Sequence, residues 1–70
     1  MKITVNGTQY FPLKGQMSYD DLCVIAGVTH ATITWRYSGA SGIVAGSLAP
    51  REKLNLVNGM IFNVTRTGEA

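Results

Sequence analysis

An apolar–polar alternation that runs straight into Asn-Gly commits a chain to fold back on itself. Ile3 and Val5 alternate with Lys2, Thr4 and Asn6, and Gly7 follows. Asparagine and glycine best accept the two positive φ angles of a type I′ turn, so a two-residue hairpin is predicted. Its register sets Val5 opposite Thr8, Ile3 opposite Tyr10 and Met1 opposite Pro12 on one face. Phe11, opposite Lys2, falls on the other face. Asn58-Gly59 repeats this chemistry between Lys53-Leu54-Asn55-Leu56 and Met60-Ile61-Phe62-Asn63-Val64-Thr65, which predicts a second hairpin with Met60, Phe62 and Val64 in the core.

Between these turns the periodicity changes. Ser18 ahead of Tyr19-Asp20-Asp21 has the side chains of a helix start, a hydroxyl N-cap followed by carboxylates at the positive end of the dipole. Met17 and Leu22 stand at the staple positions, Leu22, Ile25 and Ala26 share a face, and Gly27 suits a left-handed stop. The helix is expected to run about two or three turns. Residues 32–37 return to β-branched and aromatic types with Ile33, Trp35 and Tyr37 in phase, which reads as a third strand. Gly39, Gly42 and Gly46, interleaved with serines, predict a flexible loop holding at most a brief edge strand at Ile43-Val44-Ala45. One short helix covers a single face of a sheet, so the class is α+β with the other face open to solvent. The expected core is Ile3, Val5, Tyr10, Leu22, Ile25, Ile33, Leu48, Phe62 and Val64.

Composition narrows the function classes. Seventy residues, 46% hydrophobic and 14% charged, make one small domain rather than a disordered chain. The six basic residues, Lys2, Lys14, Arg36, Arg51, Lys53 and Arg66, are scattered and give a net charge of only +2, which argues against a phosphate-tracking nucleic-acid binder. The single cysteine, Cys23, can form no internal disulfide, and small domains of oxidising compartments are usually stapled by several, so a cytoplasmic setting is expected. No apolar run approaches the length that spans a membrane. A monomer is expected.

Catalytic chemistry finds little to work with. His30 is the only histidine, Cys23 fits a small buried hydrophobe, and no second ligand stands at metal-binding spacing. Asp20 and Asp21 point about 100° apart on a helix and cannot share a proton. Gly39-Ala40-Ser41-Gly42 lacks the Gly-Lys-Ser/Thr ending of a phosphate loop. No enzyme activity, cofactor or metal is expected.

Five stretches together carry a family resemblance: Val5-Asn6-Gly7, Ser18-Tyr19-Asp20-Asp21-Leu22, Thr32-Ile33-Thr34-Trp35-Arg36-Tyr37, Gly46-Ser47-Leu48-Ala49-Pro50 and Asn58-Gly59-Met60-Ile61-Phe62-Asn63-Val64-Thr65. They resemble the bacterial multiubiquitin-type, ubiquitin-like domains, over nearly the whole chain. The resemblance implies the β-grasp fold, a mixed sheet of four or five strands with one helix packed on one face, over residues 1–66, and a flexible C-terminal tail at 67–70. It also implies a protein modifier, which is a substrate rather than a catalyst. Its partners would be an activating enzyme, a conjugating enzyme and a JAB-type metalloprotease.

A modifier's terminus must thread a narrow active site, where glycine offers no Cβ to clash. Gly68 is the candidate donor, and Glu69-Ala70 beyond it are the residues a protease would remove. By the same resemblance partners would dock on the open sheet face, assigned to Thr34, Arg36, Ile61, Asn63 and Thr65, with Phe11 towards the edge. The alternative is a β-grasp interaction or assembly module, of bacterial or phage origin, that is never conjugated. A sulfur carrier would share the fold but needs a free Gly-Gly terminus, and this chain ends Thr67-Gly68-Glu69-Ala70.

Overall fold

The Asn6-Gly7 turn forms as its residue types dictate, with φ of 51° at Asn6 and 84° at Gly7 in a computed structural model that describes residues 1–67. It joins β1 (Ile3–Val5) to β2 (Thr8–Tyr10) in the expected antiparallel register, Val5 opposite Thr8 and Ile3 opposite Tyr10. After an irregular segment and a short strand β3 (Gln16–Ser18), the helix α1 (Tyr19–Ala26) begins where Ser18 caps it. The Ser18 hydroxyl accepts from the Asp21 amide at 3.1 Å and the Asp21 carboxylate accepts from the Ser18 amide at 3.0 Å, a reciprocal capping box. Gly27, at φ 74°, ends the helix in the left-handed conformation.

Strand β4 (Ala31–Gly39) turns through Ala40-Ser41 into β5 (Gly42–Leu48); β6 (Lys53–Asn55) and β7 (Met60–Arg66) follow. The main sheet has the order β2-β1-β7-β4-β5, with β1 and β7 parallel and the other pairs antiparallel, and α1 packs on one face. This is the α+β architecture expected from the order of elements, with the mixed sheet that the resemblance implies. Ile3, Leu22, Ile33, Met60 and Phe62 are the largest fully buried side chains, and Val5, Leu48 and Val64 are buried with them. Tyr10 and Ile25, expected in the core, are half-buried against it: Tyr10 ends the edge strand β2, and the inner face of so short a helix is set by Tyr19, Leu22 and Cys23 rather than Ile25.

Two expectations are corrected. The glycine-rich stretch is no flexible loop but a seven-residue edge strand, paired with β4 from Gly39↔Gly42 to Ile33↔Leu48. Gly46 lies beneath Trp35: a Cβ there would stand 2.5 Å from indole Cζ2, so this glycine serves close approach of a ring rather than flexibility. The Asn58-Gly59 turn closes no hairpin. Only Gly59 has positive φ, 84°, and Met60 donates to the Val57 carbonyl at 3.0 Å, a pattern of a type II turn rather than type I′. Strand β6 pairs instead with β3 in a separate two-stranded ribbon, and Lys2 binds the turn, its N–H donating to Asn58 Oδ1 at 2.9 Å and its carbonyl accepting from Gly59 at 2.7 Å.

Two side chains tie together elements far apart in the sequence. The Tyr19 hydroxyl, buried, donates to the Ala31 carbonyl at 2.9 Å and accepts from the Ala31 amide at 2.7 Å, fixing the helix start to the start of β4. Asn6 extends β1 after the backbone has turned away: its amide N–H donates to the Phe62 carbonyl at 3.0 Å, its Nδ2 to the Val64 carbonyl at 3.0 Å, and its Oδ1 accepts from the Val64 amide at 2.8 Å. The carboxamide thus takes the place of the next peptide group in the β1–β7 ladder.

Replacing Phe62, which is fully buried, with alanine is expected to lower stability by about 3–5 kcal/mol in urea unfolding. Asn6→Gly keeps the positive φ but deletes both side-chain bonds to Val64, so a loss of about 1–3 kcal/mol in the same experiment separates the clamp from the turn.

Candidate functional site

Strand alternation puts the residues not facing α1 on one continuous surface, and the register says which of them meet. Thr34 lies opposite Asn63 on β7 and opposite Ser47 on β5; Arg36 lies opposite Ile61 on β7 and Ala45 on β5. Thr4 of β1 flanks Ile61 from the other side, and Thr32 faces Thr65. Four of the residues assigned to this face, Thr34, Arg36, Ile61 and Asn63, therefore form a single block across β4 and β7. Thr34, Arg36 and Asn63 are exposed and Ile61 is half-buried between its neighbours. Phe11 stands apart from that block, in the segment after β2 ends at Tyr10, and is 69% exposed.

The block, with Thr65 beside it, carries a mixed set of side chains. Hydroxyls and an amide from Thr34, Thr65 and Asn63 offer hydrogen bonds, Arg36 offers one cation, and Ile61 offers a small apolar centre. Among the described residues no group of three or more His, Cys, Asp or Glu converges on one point. His30 is exposed in the connection before β4, where its carbonyl accepts from the Thr67 amide at 3.1 Å, and Cys23 is buried in the core. The Asp21 carboxylate is committed to the helix cap. It borders a shallow depression of about 170 Å³ between Lys14, Gln16, Met17, Ser18 and Lys53.

Sequence reasoning missed the Asn6 clamp and the Tyr19 hydroxyl. Turn chemistry alone accounts for Asn6, and Tyr19 sits at a helix start where exposure is usual; both depend on partners more than ten residues away. For β5 a signal was present, since Ile43 and Val44 are strand formers and the glycines around them stand at a turn and under a ring. Gly68, the candidate conjugation residue, and Glu69-Ala70 lie outside the described residues.

A helix seated on a five-stranded sheet of this order, with its first and last strands parallel at the centre, defines a ubiquitin-like β-grasp domain. Comparison with family models is specific: the multiubiquitin model matches residues 1–68, and the chain belongs to that family. No curated protein and no solved structure matches it. The family is one of small ubiquitin-like domains and not of enzymes. No described helix is long and apolar enough to cross a membrane.

Phe11→Ser should leave the melting temperature nearly unchanged, with a stability change within about 0.5 kcal/mol, because an exposed side chain outside the paired strands contributes little packing. Thermal unfolding followed by circular dichroism checks this.

Proposed function

We propose that this chain is a protein modifier, activated and conjugated through its C-terminal residues by partner enzymes. The observation that carries the reading is the multiubiquitin match, which runs through residue 68 and so takes in Gly68. The chemistry is an acyl transfer in which the modifier supplies the carboxylate. An activating enzyme transfers the AMP moiety of ATP to it with release of pyrophosphate, an enzyme thiol displaces AMP to give a thioester, and a nucleophile of the target displaces the thiol. Glycine at the donor position keeps the carbonyl open to attack from either side, whereas a Cβ would crowd the approach. A JAB-type metalloprotease that removes Glu69-Ala70 would expose Gly68 as the donor.

Partners in this reading dock on the block formed by Thr34, Arg36, Ile61 and Asn63, with Phe11 as a separate exposed contact towards the β2 edge. What supports it is the mixture of hydrogen-bonding groups, one cation and a half-buried apolar centre on a face that α1 leaves uncovered.

The test is intact-mass analysis after treatment with the cognate protease and then with activating enzyme and ATP. Loss of two residues followed by a thioester through Gly68 is the expected result. Gly68→Val should form the thioester at least tenfold more slowly, since about 1.4 kcal/mol of added barrier is a factor of ten. A thioester through Ala70 on an unprocessed chain would move the donor. No activation by any cognate enzyme would leave an interaction module that is never conjugated.

A further inference from the structure

Strand β5 is an edge of the main sheet, and its backbone phase shows which groups are left over. Gly39 and Gly42 close a two-residue loop as a hydrogen-bonded pair, so bonded pairs recur at Tyr37↔Val44, Trp35↔Gly46 and Ile33↔Leu48. The other side of β4 agrees: the Thr67 amide donates to the His30 carbonyl, which puts the even-numbered residues of β4 in the ladder with β7 and the odd ones with β5. Ile43, Ala45 and Ser47 therefore aim their N–H and C=O groups outward, where no strand among the described residues reaches them.

Free strand edges are usually blunted by charge, proline, a bulge or brevity. The opposite edge, β2, is three residues long. Strand β5 is seven residues long, contains neither a charged residue nor proline, keeps a constant register along β4, and exposes Ile43 and Val44.

We infer that β5 pairs antiparallel with β5 of a second copy of this chain, about a two-fold axis at Ala45, to make one continuous ten-stranded sheet. The outward groups are self-complementary in that register, since Ala45 exchanges hydrogen bonds with Ala45 of the second copy and Ile43 does so with its Ser47. Val44, 40% exposed, falls across from the second copy's Gly46 in the closer, non-hydrogen-bonded pairing. There it meets the Trp35 indole that lies over that glycine, so two half-covered apolar groups cover each other. Charge favours a second copy as well. A strand with no charge lets two chains of net charge +2 approach, and the two Arg36 side chains, each one strand in from Ala45, stand about three strand spacings or about 14 Å apart. That separation exceeds the screening length of about 8 Å at physiological salt.

The test is sedimentation of the whole chain from about 10 μM to about 1 mM, the range in which weak contacts register. The average mass should climb from 7.5 kDa towards twice that value, and no less so at high salt. Amide exchange should slow with concentration at Ile43, Ala45 and Ser47 and stay unchanged at Val44 and Gly46. Ala45→Pro should abolish the climb while keeping the fold, because the lost N–H is one that β4 does not use. Ile43→Lys, which adds a charge on each side of the axis, should do the same by a different route and stands in if the proline variant is unfolded. A constant 7.5 kDa throughout overturns the inference, as does a climb that survives both variants or one abolished by Phe11→Ser. Capture of the β5 edge by a strand of another protein, with the chain alone staying at constant mass, overturns it too.

Discussion

Strand β7 is hydrogen-bonded on both sides, parallel to β1 and antiparallel to β4, so the first and last strands must meet before either half of the sheet is complete. Phe62 and Met60 on this strand fill the centre of the core, and Ile3, Val5 and Ile33 close round them from the two flanking strands. A long closure costs only slightly more entropy than a medium one, but the contacts that repay it form late, which slows folding. Asn6 eases the junction. Its carboxamide continues the β1 side of the ladder at the point where the hairpin takes the backbone away, and without it the Val64 N–H and C=O would face the turn unpaired.

How much of this fold is legible in the amino-acid sequence follows from the range of each interaction. The first hairpin, the Ser18 cap and the Gly27 stop are decided within four residues by backbone sterics and local hydrogen bonds, and all three stand where residue type puts them. Asn58-Gly59 has the same two residues as Asn6-Gly7 and a different conformation, because Asn58 is drawn to the Lys2 amide from the far end of the chain. Alternation says that residues 53–55 form a strand but is silent on its partner, and the partner is β3. Gly46 misleads for a related reason: a glycine that accommodates a tryptophan ring is spelled the same way as one that loosens a loop. The block Thr34, Arg36, Ile61 and Asn63 is legible because strand phase alone sorts the two faces of a sheet, whereas Phe11 lies just past the last paired residue of its strand, where phase stops carrying information.

The structure divides its labour spatially. One face of the sheet is spent on the helix and the core, the other presents side chains, and the β5 edge presents backbone. The proposed recognition block and the proposed pairing edge adjoin at Ala45, beside Arg36. In the same frame the end of β7 is held by the His30 carbonyl through Thr67, which places the last described residue beside the connection that leaves the helix.

The Asn6 clamp also bears on how the protein ages. An asparagine ahead of glycine loses ammonia when the following amide nitrogen attacks the side-chain carbonyl, and that attack needs the carboxamide to swing back over its own backbone. Bonded at both ends to Val64, the Asn6 carboxamide is held out of reach for as long as the sheet is closed. In the open chain it is released, and the carboxylate it becomes has no donor to offer the Val64 carbonyl. Each excursion to the unfolded state therefore exposes Asn6 to a chemical change that weakens the chain's own return, and closure of the first strand on the last is what shelters this residue.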